Sequence, residues 1–246
     1  MSLVNFRDPA RLTDPDGRLI RAGQLFRSAQ PFPAADEATV EQLRTAEIRT
    51  IVDLRGAAEC DPADWAAVEA DGVTVVAARI NPTTDALTAA MREMTTAADL
   101  GAFYLLMAEA APGAVAAAVE AAARPGGVLL HCAAGKDRTG LLTALLLDVL
   151  GVPVEDIVAD YHRTTEALPQ IWAGLAVRHR VTLNDTAARD AVPAPLLAAP
   201  AEAMAAFLDL VHTRHGGSAA FLAACGVTDA TLAAFRAKAA PEAVAC

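Results

Sequence analysis

The sequence contains few cysteines and no cluster of them. Only Cys60, Cys132, Cys225 and Cys246 occur among the 246 residues, and they show no C-x-x-C spacing and no metal-ligand cluster. In a domain of this size a disulfide framework is therefore not expected, and neither is a metal site. Cys60 and Cys225 are interpreted as small buried side chains.

Long apolar runs and an excess of positive charge are also missing. The longest apolar stretch, near residues 141–150, is interrupted by Asp148 and falls short of the roughly 20 residues that a bilayer span requires. Residues 1–8 contain no apolar run typical of a signal peptide, so we expect a cytoplasmic protein, or one secreted without such a peptide. The formal net charge of −10 argues against broad binding to nucleic acid and against stable insertion into membranes.

What the sequence has in abundance is alanine and alternating secondary-structure patterns. It is 54% hydrophobic, and the alanine content favours helices packed around a modest sheet. Strands are predicted over residues 24–28, 48–54, 73–76 and 128–130. Helices are predicted over 35–46, from Asp61–Pro62, over 83–123 with an interruption at Pro112–Gly113, and over 138–150.

This alternation predicts an α/β fold with a central, mainly parallel sheet that is covered on both faces by helices. From Pro153 onward the pattern is helical, with a predicted loop over residues 191–200. We interpret residues 1–246 as a single domain, with an α/β core over 1–150 and a helical C-terminal subregion over 151–246.

The chemistry is concentrated in the segment His131–Cys132–Ala133–Ala134–Gly135–Lys136–Asp137–Arg138–Thr139–Gly140. It lies between an apolar strand pattern and a helical pattern, so it predicts a strand–loop–helix turn. Backbone N–H groups in such a turn can surround one anion, and the N-terminus of the helix adds to the favourable field. The small residues allow the backbone to approach the anion closely, and glycine permits a positive φ.

Cys132 and Arg138 have the spacing of a nucleophile and a phosphate clamp. The groups that would hold a phosphate dianion also favour the thiolate form of a cysteine. The planar guanidinium of Arg138 can hold two phosphoryl oxygens, and Thr139 is placed to offer its hydroxyl to the sulfur. The pattern predicts in-line attack of Cys132 on phosphorus, protonation of the leaving group by a carboxylic acid, and hydrolysis of the phosphocysteine by water, without a metal.

Two other kinds of loop fit the segment less well. A Walker A loop would need glycine at Leu130 and Ser or Thr at Asp137. A rhodanese-type sulfur carrier also has a cysteine in a strand–helix loop, but its loop does not usually end in Lys136–Gly140. In the plain structural alternative, Cys132 is only a buried side chain and Arg138 only a surface charge.

The segment resembles the phosphate loop of the protein-tyrosine phosphatase superfamily, and more closely that of the bacterial atypical tyrosine and phosphoinositide phosphatases of the PtpB type. Further matches are Asn5–Asp8, Leu25–Ser28, Val52–Arg55 with Glu59, Ile157–Tyr161, Gly216–Ser218, Phe221–Leu222 and Gly226–Val227. The resemblance implies a protein-tyrosine-phosphatase-like fold, no cofactor, and a phosphorylated protein or a phosphoinositide as partner.

The resemblance also implies roles for single residues. Lys136 would favour highly phosphorylated ligands such as phosphoinositides, Asp137 would act as general acid, and His131 would orient the loop. The plain alternatives are a solvated Lys136 at the rim of the loop and an Asp137 that caps the helix. Asp53, at the end of a predicted strand, is the rival acid, and its alternative is a salt bridge to Arg55.

Residues 81–110 occupy the region where the PtpB type carries a helical lid. Here the segment is short and rich in alanine, and we expect most of its larger apolar residues to belong to the core instead of to a small lid. These residues are Leu87, Met91, Met94, Leu100, Phe103, Tyr104 and Met107. Asp85 and Asp99 lie where conventional tyrosine phosphatases carry their acid, but no Trp-Pro-Asp string is present.

These observations predict a metal-independent phosphomonoester hydrolase that acts on phosphotyrosine, phosphoserine or phosphothreonine in proteins and on phosphoinositides. The predicted catalytic residues are Cys132, Arg138, Asp137 and Asp53. The predicted phosphate-binding residues are Ala133, Ala134, Gly135, Lys136, Asp137, Arg138 and Thr139. The alternatives are a narrower phosphatase for an inositol phosphate or small metabolite, and a phosphate-binding module with little turnover.

Overall fold

A four-stranded parallel sheet forms the centre of the protein. The computed structural model describes residues 3–9, 21–179 and 192–239. The strands are β1 (Leu25–Ser28), β2 (Ile48–Asp53), β3 (Thr74–Ala77) and β4 (Gly127–His131), in the spatial order β1-β4-β2-β3. All neighbouring strands are parallel. The predicted α/β fold with a mainly parallel sheet is confirmed.

Helices fill the connections and the C-terminal part. In the described ranges they are α1 (Glu37–Thr45), α2 (Ala66–Ala70), α3 (Asp85–Glu93), α4 (Ala97–Glu109), α5 (Pro112–Ala122), α6 (Asp137–Val149), α7 (Val154–His162), α8 (Thr164–His179), α9 (Ala194–Leu197), α10 (Ala201–His215), α11 (Ser218–Ala224) and α12 (Asp229–Ala239), with a 3₁₀ turn at Ala57–Glu59.

The two faces of the sheet bury different helices, because side chains alternate along each strand. Val52, Val128 and Leu130 face a large cluster that also contains residues of α3–α7 and α10–α12. Ile51 and Leu129 face a smaller cluster with residues of α1 and α2. The large cluster joins residues before and after position 150 in one continuous core.

Three details differ from the sequence-based expectations. The helix expected at Asp61–Pro62 begins only at Ala66, because Asp61–Asp64 form a turn in which Asp64 N donates to Asp61 O. The predicted loop over 191–200 contains the short helix α9, and residue 191 lies outside the described residues. Cys60 and Cys225 are partly exposed free cysteines instead of fully buried ones.

No single helix in the described ranges is both long and apolar enough to cross a membrane. α4 and α5 meet the length and composition requirement only when they are taken together, and the chain bends by 86° between them.

The sheet brings the carboxyl ends of three strands to one edge. In the parallel register Ser28 and Asp53 both lie beside His131, at the ends of β1, β2 and β4. Binding sites of parallel α/β sheets form at this edge. The loop that follows β4 therefore begins between two other strand ends.

Candidate active site

The loop Cys132–Lys136 connects a central strand to a long buried helix. Cys132 directly follows β4, and its side chain is 1% exposed. Helix α6 begins at Asp137, and Lys136 is its N-cap residue without a side-chain capping bond. The predicted strand–loop–helix turn is present, and the N-terminus of α6 follows directly after the loop.

The carbonyl groups of the loop are bound from the outside by other parts of the chain. Gln30 N donates to Ala133 O at 3.2 Å, Asn5 Nδ2 to Gly135 O at 3.1 Å, and Arg27 Nη2 to the same Gly135 O at 2.8 Å. Within the described residues, the backbone N–H groups from Ala133 to Lys136 have no acceptor in the protein. Because the carbonyl groups are bound outside, these N–H groups remain available to an anion.

A buried ion-pair network holds two of these outer contacts in place. Asp160 in α7 accepts from Arg7 Nε and from Arg27 Nη1, both at 2.6 Å, and its side chain is 2% exposed. Arg7 also donates to the Asn5 side chain. Burial raises the pKa of Asp160, but Arg27 and Arg7 lower it more, so the pKa lies below its usual value. Asp160 therefore remains ionised and fixes the arginine that binds Gly135.

Gly135 is required by the loop conformation. Its φ is +65°, and a Cβ atom at this position would lie 2.2 Å from the backbone oxygen of Ser28. Any other residue would combine an unfavourable left-handed conformation with a clash against the backbone of β1. The loop can therefore pack closely against β1 only because this residue is glycine.

Arg138 forms a two-point ion pair with a carboxylate outside the phosphate loop. Its Nη1 and Nη2 donate to the two carboxylate oxygens of Glu59 at 2.6 and 2.7 Å. Glu59 also accepts from Gly56 N at 2.7 Å, which fixes the carboxylate on the 3₁₀ turn. Burial raises the pKa of Glu59, but the Arg138 guanidinium lowers it more, so the pKa lies below its usual value and Glu59 stays ionised. This pairing fixes the plane of the guanidinium before a phosphate binds.

His131 is a neutral, fully enclosed side chain. Its Nε2 accepts from the indole N–H of Trp65 at 3.1 Å, and its Nδ1 lies 3.2 Å from Cys132 O. The indole only donates, so the ring proton is on Nδ1 and is donated to Cys132 O. Burial lowers the pKa of His131 to about 4, although the Asp53 carboxylate opposes the shift. His131 thus binds the backbone carbonyl of the nucleophile, a contact that suits the orienting role that the resemblance implies.

Asp53 forms the salt bridge to Arg55 that was its alternative interpretation. The guanidinium of Arg55 donates to both carboxylate oxygens, with Nη2–Oδ2 at 2.6 Å and Nε–Oδ1 at 2.9 Å. Arg55 also binds Asp64 at 2.9 Å. Burial raises the pKa of Asp53, but interactions with His131 and Arg55 lower it to about 2. Asp53 is therefore held as an anion by a buried partner.

Asp137 lies at the surface of the site and does not act as the N-cap of α6. It is the first residue of the helix, and its side chain is 23% exposed. Its Oδ1 accepts from Tyr104 OH at 2.6 Å. The capping interpretation of Asp137 is wrong, because the side chain turns towards Tyr104 in α4 instead of towards the N–H groups of its own helix.

Lys136 is not a solvated side chain at the rim of the loop. It is 1% exposed, and its Nζ donates to Leu196 O at 2.5 Å and to Ala198 O at 2.7 Å. The ammonium group lies 3.3 Å from Asp137 Oδ1. The backbone carbonyl groups around α9 thus compensate the burial of this charge, and the side chain fastens the segment that contains α9 to the phosphate loop.

The hydroxyl of Thr139 and the carboxylates of Asp85 and Asp99 were also considered as functional groups. Thr139 Oγ1 is buried without a hydrogen bond in the described part of the chain, so a bond to the sulfur is not formed in this state. Asp85 is the first residue of α3, and Asp99 forms a capping box with Thr96 at the start of α4. Both carboxylates are accounted for by helix N-termini.

A cleft of about 450 Å³ opens at Asp137 and Arg138. Besides these two residues, its lining is mostly apolar and contributed by residues 80–91, α4 and α9; the apolar members of α3, α4 and α9 are Leu87, Met91, Phe103, Met107 and Leu196. Leu87, Met94, Leu100, Phe103 and Tyr104 are buried, as expected for core residues, whereas Met91 is 39% exposed. Helices α3 and α4 thus form a wall of the cleft.

Several contacts at the site were not assigned from the sequence. Glu59, Arg27 and Asp160 were quoted only as parts of matching segments, and Trp65 and Tyr104 had no assigned role at the loop. The side-chain partners of these five residues are 33 to 153 residues away in the sequence. For Glu59, Arg27 and Asp160 the only signal in the sequence was that each lies in a segment that matches the family.

The sequence of this chain is similar to those of known tyrosine phosphatases. The model of a family described as "Tyrosine phosphatase family" matches residues 1–240. A candidate tyrosine-protein phosphatase of Cupriavidus necator is 33% identical over 170 residues, covering 65% of this chain and 60% of the relative. The triple specificity protein phosphatase PtpB of Mycobacterium tuberculosis is 35% identical over 123 residues, covering 46% of this chain and 42% of the relative.

These two matches span less than two thirds of the relatives' own lengths. Among solved structures, the catalytic core of Siw14 aligns with 78% of this chain and 92% of its own, at 14% identity and a TM-score of 0.44. The family model covers nearly the whole chain, including the loop, the residues that bind it and the C-terminal helices. The chain belongs to the tyrosine phosphatase family.

Proposed function

We propose that this protein hydrolyses phosphomonoesters, phosphotyrosine in proteins above all, through a phosphocysteine intermediate on Cys132 and without a metal ion. The proposal depends most on the phosphate loop, whose carbonyl groups are bound outside by Gln30, Asn5 and Arg27 and whose N–H groups lack protein acceptors in the described residues. Arg138, fixed by Glu59, supplies the complementary guanidinium.

In the proposed reaction the Cys132 thiolate attacks phosphorus while the P–O bond to the leaving group breaks. Arg138 and the loop N–H groups stabilise the equatorial oxygens, where the charge is concentrated. Asp137 gives its proton to the leaving oxygen. Water then attacks the phosphocysteine, its proton returns to the Asp137 carboxylate, and the sulfur leaves as thiolate.

Asp137 suits the role of general acid better than Asp53. Asp137 lines the cleft together with Arg138, whereas Asp53 is 5% exposed and bound on both oxygens by Arg55. A carboxylate in such a pair loses stabilisation whenever it is protonated. Asp53 therefore serves to hold Arg55 and to face His131.

An aryl phosphate matches the surroundings of the loop. The cleft beside Arg138 has apolar walls from α3, α4 and α9, which suit the ring of phosphotyrosine. Phosphoinositide activity was implied by the resemblance through Lys136, but the Lys136 ammonium is bound to two backbone carbonyl groups. We therefore place phosphotyrosine first and test phosphoinositides beside it.

Phosphate release from a phosphotyrosine peptide and from phosphatidylinositol phosphates, measured with EDTA present, tests the proposal. We compare wild type with Cys132→Ser, and with Cys225→Ser as a control in which a partly exposed cysteine outside the loop is changed. Release that is lost only in Cys132→Ser supports the cysteine mechanism. No release from either substrate by folded, reduced wild type would favour a small-metabolite phosphatase or a binding module instead.

Lys136→Met separates the two substrate classes. If Lys136 only fastens the segment around α9, the variant changes the activity towards both substrates by the same factor. A selective loss of phosphoinositide activity would mean that the Lys136 ammonium leaves Leu196 and Ala198 to bind additional phosphate groups.

A further inference from the structure

A chain of two buried tyrosine hydroxyl groups ends at the carboxylate of Asp137. Tyr104 OH lies 2.6 Å from Asp137 Oδ1 and 2.8 Å from Tyr161 OH. Tyr104 and Tyr161 are 0% and 1% exposed. A carboxylate only accepts, so Tyr104 donates to Asp137, and its oxygen must then accept from Tyr161. The hydrogen bonds therefore run in one direction, from Tyr161 through Tyr104 to Asp137.

The two oxygens of Asp137 have different surroundings. Oδ1 accepts from Tyr104 OH and lies 3.3 Å from the Lys136 ammonium group. No donor to Oδ2 is found among the described residues. Since two donors already face Oδ1, a proton on Asp137 is placed more favourably on Oδ2.

We propose that Tyr104 is a positioning residue that turns Asp137 so that its acidic proton is carried by Oδ2 and delivered to the leaving oxygen of the substrate. This inference rests on the proposed role of Asp137 as general acid. As the P–O bond breaks and the S–P bond forms, the Oδ2 proton moves to the leaving oxygen, and the resulting carboxylate keeps its Oδ1 bond to Tyr104. The hydrogen bond from Tyr104 to Oδ1 is thus present before and after Asp137 transfers its proton.

The environment of Tyr104 keeps its hydroxyl group protonated. Burial in the core and the nearby Asp137 carboxylate raise the pKa of Tyr104 well above its usual value, and the pKa of Tyr161 is also raised by burial and by Asp137. Neither hydroxyl changes its charge in the working range of an enzyme. The ring of Tyr104 is fixed by edge contacts with Tyr161 and Phe207, at centroid distances of 6.2 and 6.3 Å.

The test uses the dependence of the rate on the leaving group. A substrate such as 4-nitrophenyl phosphate leaves as a stable anion and needs little help from an acid. Phenyl phosphate leaves as a phenolate whose conjugate acid has a pKa of about 10, so it depends on proton transfer. We expect Tyr104→Phe to lower kcat/KM, which reports formation of the phosphocysteine, about tenfold for phenyl phosphate and to leave it nearly unchanged for 4-nitrophenyl phosphate.

Two further variants make the test specific. In Asp137→Asn the added change Tyr104→Phe should have no further effect on kcat/KM for phenyl phosphate, because a residue that acts through Asp137 cannot act without it. Tyr161→Phe removes a hydroxyl from the same buried chain but leaves the bond to Oδ1, so its leaving-group dependence should stay close to that of wild type. Thermal unfolding checks that all variants are folded.

The outcomes distinguish this inference from the proposed function. An equal fall of kcat/KM for both substrates in Tyr104→Phe, or additive effects with Asp137→Asn, would overturn the positioning role. An equally strong leaving-group effect in Tyr161→Phe would also overturn it. If Asp137→Asn itself shows no leaving-group bias while activity still requires Cys132, the acid assignment fails together with the role of Tyr104, and the cysteine mechanism stands.

Discussion

Replacing Asp160 with asparagine tests whether the buried arginine network supports the phosphate loop. The side chain is 2% exposed and accepts from Arg7 Nε and Arg27 Nη1 at 2.6 Å each. Burial, together with the charge of Arg27, already lowers the pKa of Arg7 to about 10, and Asp160 opposes this shift. Asp160→Asn keeps the shape but leaves two guanidinium groups without their counterion.

Breaking a buried ion pair on one side costs about 3–5 kcal/mol of unfolding free energy. At about 2–4 °C per kcal/mol for a chain of this size, the unfolding midpoint should fall by about 6–20 °C. At temperatures where the variant is folded, kcat/KM should also fall, since Arg27 holds Gly135 O. Without its counterion Arg27 would hold Gly135 O less firmly, and the phosphate loop would be less rigid.

Circular dichroism melts at pH 7 measure the first effect, and phosphate release measures the second. Glu155→Gln is the matched control, because Glu155 is an exposed carboxylate on the same helix as Asp160. It should change stability by less than about 1 kcal/mol. A midpoint for Asp160→Asn within 2 °C of the control, with unchanged activity, would refute the reasoning about the network.

Three further predictions concern the loop and its neighbours. Gly135→Ala should abolish most phosphatase activity, because the added Cβ meets the backbone of β1, whereas Gly151→Ala, with positive φ but open space, should lose about 1–2 kcal/mol of stability and keep its activity. Glu59→Gln should lower kcat/KM about 10- to 100-fold, since Arg138 loses a charged, two-point partner; unchanged kinetics would contradict this. Burial lowers the pKa of His131 to about 4. In the unfolded chain the imidazole therefore binds a proton below about pH 6.5, whereas in the folded protein it does so only below about pH 4. Stability should therefore decline between pH 6.5 and 4 by up to about 3 kcal/mol, and denaturant melts of His131→Asn should lack this part of the decline.

The parallel sheet and the phosphate loop could be predicted because their signals are local. Val128–Leu130 is short and wholly apolar, and small residues follow it, so consecutive residues indicate first the strand, then the loop and then the helix. Helix boundaries depend on caps; Pro153 identified one helix start correctly, and the interruption predicted at Pro112–Gly113 coincides with the start of α5. At Asp61–Pro62 the same signal failed, because a turn around Asp64 delays the helix to Ala66.

The directions of charged side chains could not be predicted in the same way. Lys136 and Asp137 are adjacent in the sequence, yet one binds carbonyl groups of the α9 segment and the other a tyrosine in α4. Which partner each side chain finds depends on how distant helices pack. For Asp53 the sequence left a choice between an acid and a salt bridge, and only the buried position of Arg55 distinguishes them.

The ion pairs of Asp160 with Arg7 and Arg27 limit which segments of this protein can be exchanged with those of a relative. Asp160 belongs to the helical C-terminal part, whereas both arginines belong to the first 30 residues. A fragment that ended at residue 150 would retain Cys132 and Arg138 but would bring two arginines together without a counterion. A chimaera with the helical part of a relative can be expected to work only if that part supplies a carboxylate at the same point. An exchange of segments that keeps Cys132 active therefore also has to keep a carboxylate that supports its loop.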